Sequence, residues 1–374
     1  MGHSYTPGLR VTASAVLRRE RRLPLKGRVM VERGHHVAPD TVVARTELPG
    51  NVQTVNLAGK LALDPARVVD SLLHPIGTRV KQGDAIAAGK SLFGLIRNTV
   101  ESPADGMLES VSPVTGQLIL REPPIPVEML AYVRGVVAEV LPEEGVIVQT
   151  HGAFVQGIFG VGGETFGAIE LVAPGPERPL EASMVGPQHR GRVVVGGSHV
   201  SYEAVMACRD AGVAAIVVGG FDDQDLRRLL GRDLGVAITG SEELGLTLVM
   251  TEGFGHIRMA ERTWSLLQSR AGQTASVSGA TQIRAGVMRP EIIIPSTADG
   301  PAPVEVDDAG ALEVGSLLRV IRSPHFGRIG RAVALPPELH ALESEATVRV
   351  LEVEFQDDGS RAIVPRANVE RIAE

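Results

Sequence analysis

Side chains able to do chemistry gather in this chain where apolar runs end in small and polar residues. Gly196, Gly197, Ser198 and His199 follow RVVV; Gly219, Gly220 and Asp222 follow AAIVV; Thr239, Gly240 and Ser241 close GVAITGS; and Thr251 and Glu252 sit within LTLVMTEGFG. In an open α/β sheet, ligands bind beyond the carboxyl ends of the strands, and these residues occupy such ends. Gly-Gly-Ser opening a helix offers amides and a hydroxyl to an anion, and the helix dipole adds to the attraction. Arg258, Arg284 and Arg289 would complete a pocket for a phosphate or carboxylate. The same glycines also let a strand turn tightly into a helix with no ligand involved.

Other chemistries find less support. His35, His36, His151, His199 and His256 show no His-x-x-x-His or His-Glu-x-x-His spacing, so each reads as a surface or hydrogen-bonded histidine. Neither a metal site nor a cofactor is expected. Cys208 is the one cysteine, which excludes an internal disulfide and any multi-cysteine cluster; its apolar helical setting reads as a buried small residue. GIFGVGGETFG (157–167) has the glycines of a phosphate loop but no Gly-Lys-Ser/Thr opening a helix, so glycine kinks in curved strands account for it better. No Gly-x-Ser-x-Gly occurs, and no carboxylate pair has a spacing that points to acid–base work.

The elements that would position these residues change character along the chain. Its 374 residues are enough for two or three domains. Aromatics make up 3%, against 43 glycines and 24 prolines, which favours short strands and tight turns. A net charge of −7 argues against non-specific nucleic-acid coating. With no apolar signal core and no uninterrupted apolar run of about 18 residues, a cytoplasmic protein without membrane insertion is expected. Residues 1–26 form a basic arm, read as solvated, as a strand covering the next domain, or as a contact for an acidic partner or RNA.

From 27 to 172 the grammar is G-x-x-V-x-x-G-D-x-I-A with weak repeats, interrupted at DPARVVDSLL by a short helix with Asp64 as N-cap and Pro65 at its first position. A stiff linker, 173–185, contains PGPERP. Apolar strands then alternate with helices over 186–295, predicting a mostly parallel sheet covered on both faces. An acidic linker, 296–310, leads to a β-rich end at 311–374.

Two stretches carry resemblances. Gly77, Val80, Gly83, Asp84, Ile86 and Ala87, then Ser102, Pro103, Asp105, Gly106, Leu108, Thr115 and Gly116, resemble the barrel-sandwich hybrid of biotinyl and lipoyl carrier domains. That resemblance implies a β fold over 27–172. It implies a modified lysine only weakly: Met-Lys-Met is missing, and Lys90 in AAGKS is the one lysine to test. The run V-I-x-x-P-x-x-G-x-x-G-x-A-V resembles the KOW motif of small SH3-like barrels in ribosomal and transcription-elongation proteins, over 313–372. This end holds eight arginines and no lysine against ten acids, which favours a protein partner over RNA, although Arg319, Arg322, Arg328 and Arg331 form a local basic strip.

The fold class expected is therefore multidomain: a barrel-sandwich-like β domain, a central mostly parallel α/β sheet and a small SH3-like barrel. The functional expectation is a non-enzymatic scaffold or adaptor that binds macromolecules through its β modules, with a small-anion site in the α/β domain. RNA- or ribosome-associated KOW function is one alternative. An enzyme acting on a phosphate- or carboxylate-bearing metabolite is another. Composition does not define an oligomeric state.

Overall fold

The computed structural model describes residues 9–90, 97–231, 244–281, 289–296, 314–320, 324–325, 327–336, 339–341 and 347–371. It is mostly β, with 47% of residues in strands and 16% in helices. Among the described residues, no helix is long and apolar enough to cross a membrane.

An eleven-stranded sheet dominates. Its strands are β1 (Val11–Arg22), β2 (His36–Val37), β3 (Gly135–Leu141), β4 (Gly145–Gln156), β5 (Phe159–Val161), β6 (Glu164–Leu171), β7 (Val193–Val195), β8 (Ala215–Phe221), β9 (Thr247–Phe254), β10 (Thr274–Ser278) and β11 (Glu291–Pro295). Their spatial order is β5-β9-β8-β7-β6-β10-β11-β4-β3-β2, with β1 paired to β4. Pairing is parallel only from β6 through β9; the other described pairs are antiparallel, so the expected mostly parallel sheet is a mixed one. Because β6 lies in this sheet, the sheet also runs across the predicted boundary at 172.

β7 and β8 are apolar throughout because both of their faces are covered. Four α-helices belong to the described residues: α1 (Leu57–Leu61), α2 (Tyr202–Ala211), α3 (Asp223–Leu230) and α4 (Glu261–Ser269). Side chains alternate along a strand. Val193, Val195, Val217 and Val249 accordingly pack with Trp264 and Leu267 of α4, while Val194, Ile216, Val218 and Met250 pack with Val205 and Cys208 of α2 and Leu226 of α3. Each such buried aliphatic contributes about 1.5–3 kcal/mol. Ser201 caps α2 by accepting from Ala204 N, and Gly212 ends it in the left-handed conformation at φ 75°.

Within the basic N-terminal segment, Val11–Arg22 forms a strand. β1 pairs with β4 along its length, and its cations meet acids in cis: Arg18 with Glu139, Arg19 with Glu291, Arg21 with Glu164, and Arg22 with Glu20 and Glu144. The segment expected as a stiff linker at 173–185 is packed too. Leu180 is buried and bridges to Val200.

Smaller sheets flank this one. Strands Val52–Asn56, Gln117–Arg121, Gly106–Val111 and Arg79–Val80 form one around a core of Leu57, Val68, Leu108, Leu118 and Leu120. Asp64 caps the turn that follows, accepting from Ala66 N with Pro65 at the first position, although that turn is a 3-10 helix. The C-terminal module is a six-stranded sheet that includes β12 (Leu317–Val320), with a core of Leu318, Leu351, Val353 and Phe355.

Candidate metal centre

Three parallel strands end side by side, and each end is followed by one residue that matters. Beyond β7, Gly196–Ser198 leads to His199, which is 5% exposed and bridges to Gly220. Directly after β8 comes Asp222. After β9 a loop carries His256, which is exposed. The glycines at the end of β8 determine how that loop crosses. A Cβ on Gly219 would lie 2.0 Å from the carbonyl oxygen of Ile257, and one on Gly220 would lie 2.0 Å from that of Gly255. Only glycine lets the 255–257 backbone pass this closely. The loop is then pinned where Ile257 N donates to Ser198 O at 3.2 Å and Met259 N to Pro176 O at 3.1 Å.

This crossing lays the His256 ring flat on that of His199, with centroids 3.6 Å apart and planes inclined by 15°. Asp222 occupies the N-cap position of α3 yet makes no side-chain cap bond. A capping carboxylate usually contributes about 1 kcal/mol. Here the carboxylate faces the buried imidazole instead, and His199 Nε2 donates to Asp222 Oδ2 at 3.2 Å. Donor atoms of His199, Asp222 and His256 all lie within 4.8 Å of one another.

The electrostatics keep the buried imidazole uncharged beside a carboxylate. Burial lowers the His199 pKa, the adjacent His256 lowers it further, and the carboxylates of Asp222 and Asp225 oppose the shift. His199 is therefore neutral at neutral pH, as a metal ligand must be. Donors about 2.1 Å from one ion, at right or tetrahedral angles, stand about 3.0–3.4 Å apart. The 3.2 Å between His199 Nε2 and Asp222 Oδ2 falls within that interval. His199 is buried, Asp222 half-buried and His256 exposed, so one side of the cluster faces solvent.

The donors expected to face an anion face the chain's own carbonyls. Gly196 N donates to Val217 O, Ser198 N to Arg178 O and Gly219 N to Gly197 O, while the Ser198 hydroxyl donates to Glu177 O. Thr251 Oγ1 donates to Val218 O, and Arg258 pairs with Glu261. Arg289 precedes the amino end of β11. Glu291 is in register through Ser278 with Glu164, whereas the β7 end, Val195, is in register with Leu171. Those rungs differ by seven residues along β6, about 23 Å at 3.3 Å per residue. Arg289 is thus remote from His199. Thr239, Gly240, Ser241, Arg284 and Arg322, and the Lys90 side chain, lie outside the described residues.

Two residues assigned to different roles turn out to be partners. Glu252, expected to bind ligand, is 5% exposed, and Arg319, expected on an exposed strip, is fully buried; their Oε2 and Nη2 atoms are 2.8 Å apart. A buried Arg319 offers no surface to a partner, so that assignment is corrected. Arg328 pairs with Asp357 and Asp358 and lies over the Phe355 ring, and Arg331 donates to Gly315 O.

Sequence reasoning selected His199 and Asp222 for an anion, with no metal expected, and read His256 as a surface or hydrogen-bonded histidine outside that site. The rule that chose Thr251 and Glu252 stopped four residues short of His256; the signal was a histidine between glycine-hinged turns after the same strand. No family model matches the chain, and no curated protein matches it in sequence.

Proposed function

We propose that this chain is a metalloprotein binding one divalent transition-metal ion, zinc foremost, through His199, Asp222 and His256. The observation that carries the reading is Asp222, which leaves the helix it should cap and turns to a buried neutral imidazole with a second imidazole stacked on it. Two imidazoles and a carboxylate suit zinc and its neighbours in the first transition row. Closed structural zinc sites have four protein ligands, whereas three ligands with a solvent-facing side match sites that keep a position for water. In such a site the ion acts as a Lewis acid or lowers the pKa of its bound water.

The surrounding modules serve, on this reading, as a scaffold for the centre. The small sheet built from strands within residues 52–121 is read as a barrel-sandwich-like unit and 311–374 as a KOW-type barrel that meets a protein partner. The buried Arg319–Glu252 pair fastens the C-terminal module to the strand leading into the metal loop.

Equilibrium dialysis of the metal-stripped full chain against zinc, followed by metal analysis, tests the proposal. One ion per chain is expected for the wild type and none for the His199→Ala/His256→Ala double variant. Equal zinc retention by the two proteins refutes it.

A further inference from the structure

We infer, resting on the metal-binding reading, that Arg319 is a positioning residue for the metal centre and that the C-terminal module thereby regulates metal affinity. The link is Glu252. Its Oε2 accepts from Arg319 Nη2 at 2.8 Å, and its Oε1 accepts from Ala260 N at 3.1 Å. Ala260 is eight residues further along, at the N-terminus of α4, and the segment between is the loop that carries His256. One carboxylate therefore ties the two ends of that loop together, and a cation from a different module holds the carboxylate in place.

The loop depends on this tie. Gly253 at φ 142° and Gly255 at φ 94° hold backbone conformations that few other residues adopt. Ala260 N has Glu252 as its acceptor, and α4 has no side-chain cap of its own. With the guanidinium gone, a carboxylate that is 5% exposed must draw in water or take up a proton. Either change weakens its hold on Ala260 and frees His256 to shift against His199. Indirect partners that orient metal ligands are typically worth about 10–100-fold in affinity. Coupling between two equilibria is reciprocal, so a bound ion tightens the docking of the C-terminal module by the same factor that docking tightens the ion. A protein that pulls the module away from β9 would weaken the hold on the ion by that same factor.

The test compares full-length wild type, Arg319→Met, Arg319→Lys and the Glu252→Gln/Arg319→Met double variant. Zinc affinity is read by competition with a chromophoric chelator, and site geometry by the visible spectrum of bound cobalt(II). Arg319→Met should bind zinc about 10-fold more weakly with an altered cobalt spectrum. Arg319→Lys should recover most of the loss. The double variant removes the buried charge while the amide that replaces the carboxylate keeps an oxygen for Ala260 N, and it should return to within about 3-fold of wild type. If Arg319→Met does not fold, the lysine and double variants carry the test. Wild-type affinity and spectrum in Arg319→Met, or a double variant as weak as the single one, overturn the coupling while the metal reading stands. A wild type that binds no zinc overturns both. In the reciprocal arm, zinc should slow amide exchange in Leu317–Val320; exchange indifferent to zinc also counts against the coupling.

Discussion

Replacing His199 by alanine gives the sharpest measure of the metal centre. Structural zinc sites bind with about 10–16 kcal/mol shared among four ligands, or about 3 kcal/mol per ligand. Loss of one imidazole should therefore weaken zinc binding about 100-fold. The variant removes a buried ring that makes one hydrogen bond, to Asp222, and one stacking contact, with His256. A fold defect is separable, because the strand ahead of it, β7, is anchored by its own buried valines. Zinc at about 100 times its dissociation constant should stabilise the wild type by about 2.7 kcal/mol. For a cooperative unit of about 150–250 residues, that raises the melting temperature by about 5–10 °C. The assay is chelator competition paired with thermal unfolding, with and without zinc, for wild type, His199→Ala, His256→Ala and the exposed control His36→Ala. The control should match the wild type, and both site variants should lose the affinity and the thermal shift. Zinc affinity within twofold of wild type in either site variant refutes the ligand assignment.

Other expectations follow from the same geometry. Because the folded-state pKa of His199 is lowered, the unfolded chain takes up the proton first. The stability His199 contributes is full above about pH 6.5 and is lost as pH falls from there through its lower folded value, which urea titrations across pH 4–8 should record. Neutral His199 takes zinc on Nε2 by carrying its proton on Nδ1 instead, so calorimetry in buffers of different ionisation enthalpy should detect little proton release near neutral pH and more as pH falls toward the lowered folded-state pKa of His199. Gly220→Ala drives a Cβ into the Gly255 carbonyl, so it should cost about 1–3 kcal/mol in urea unfolding and also weaken zinc binding. The Cys208 thiol, pushed up to about 12 by burial, should resist thiol reagents at pH 8 until the chain is unfolded.

How much of this was legible in the sequence depended on whether the signal was local. Ser201 and Gly212 bracket α2 as their capping chemistry requires, and the runs that became β7 and β8 are apolar because helices cover both faces. TASVS at 274–278 carries no such signal. Its serines and threonine give a weak strand pattern, and antiparallel partners on both sides make it β10. Arginines disguised β1 in the same way, since their acids lie far along the chain at Glu139, Glu164 and Glu291. At the proposed metal centre, strand ends singled out His199 and Asp222, though for an anion, and adding His256 required knowing that two glycines let a later loop cross over them. The Glu252–Arg319 pair joins residues 67 apart in different modules, and nothing local marks either as the other's partner.

The pairing of β1 with β4 also bears on how the protein is made. Arg22 aligns with Gly145 and Val11 with Val155, so the first strand leaves the ribosome roughly 125–145 residues ahead of its mate. At synthesis rates of about 5–20 residues per second, it waits about 6–30 s with an open hydrogen-bonding edge. Charged side chains are what keep such an edge from pairing with a stranger, and its arginines, mated only later, serve as a built-in guard against premature aggregation.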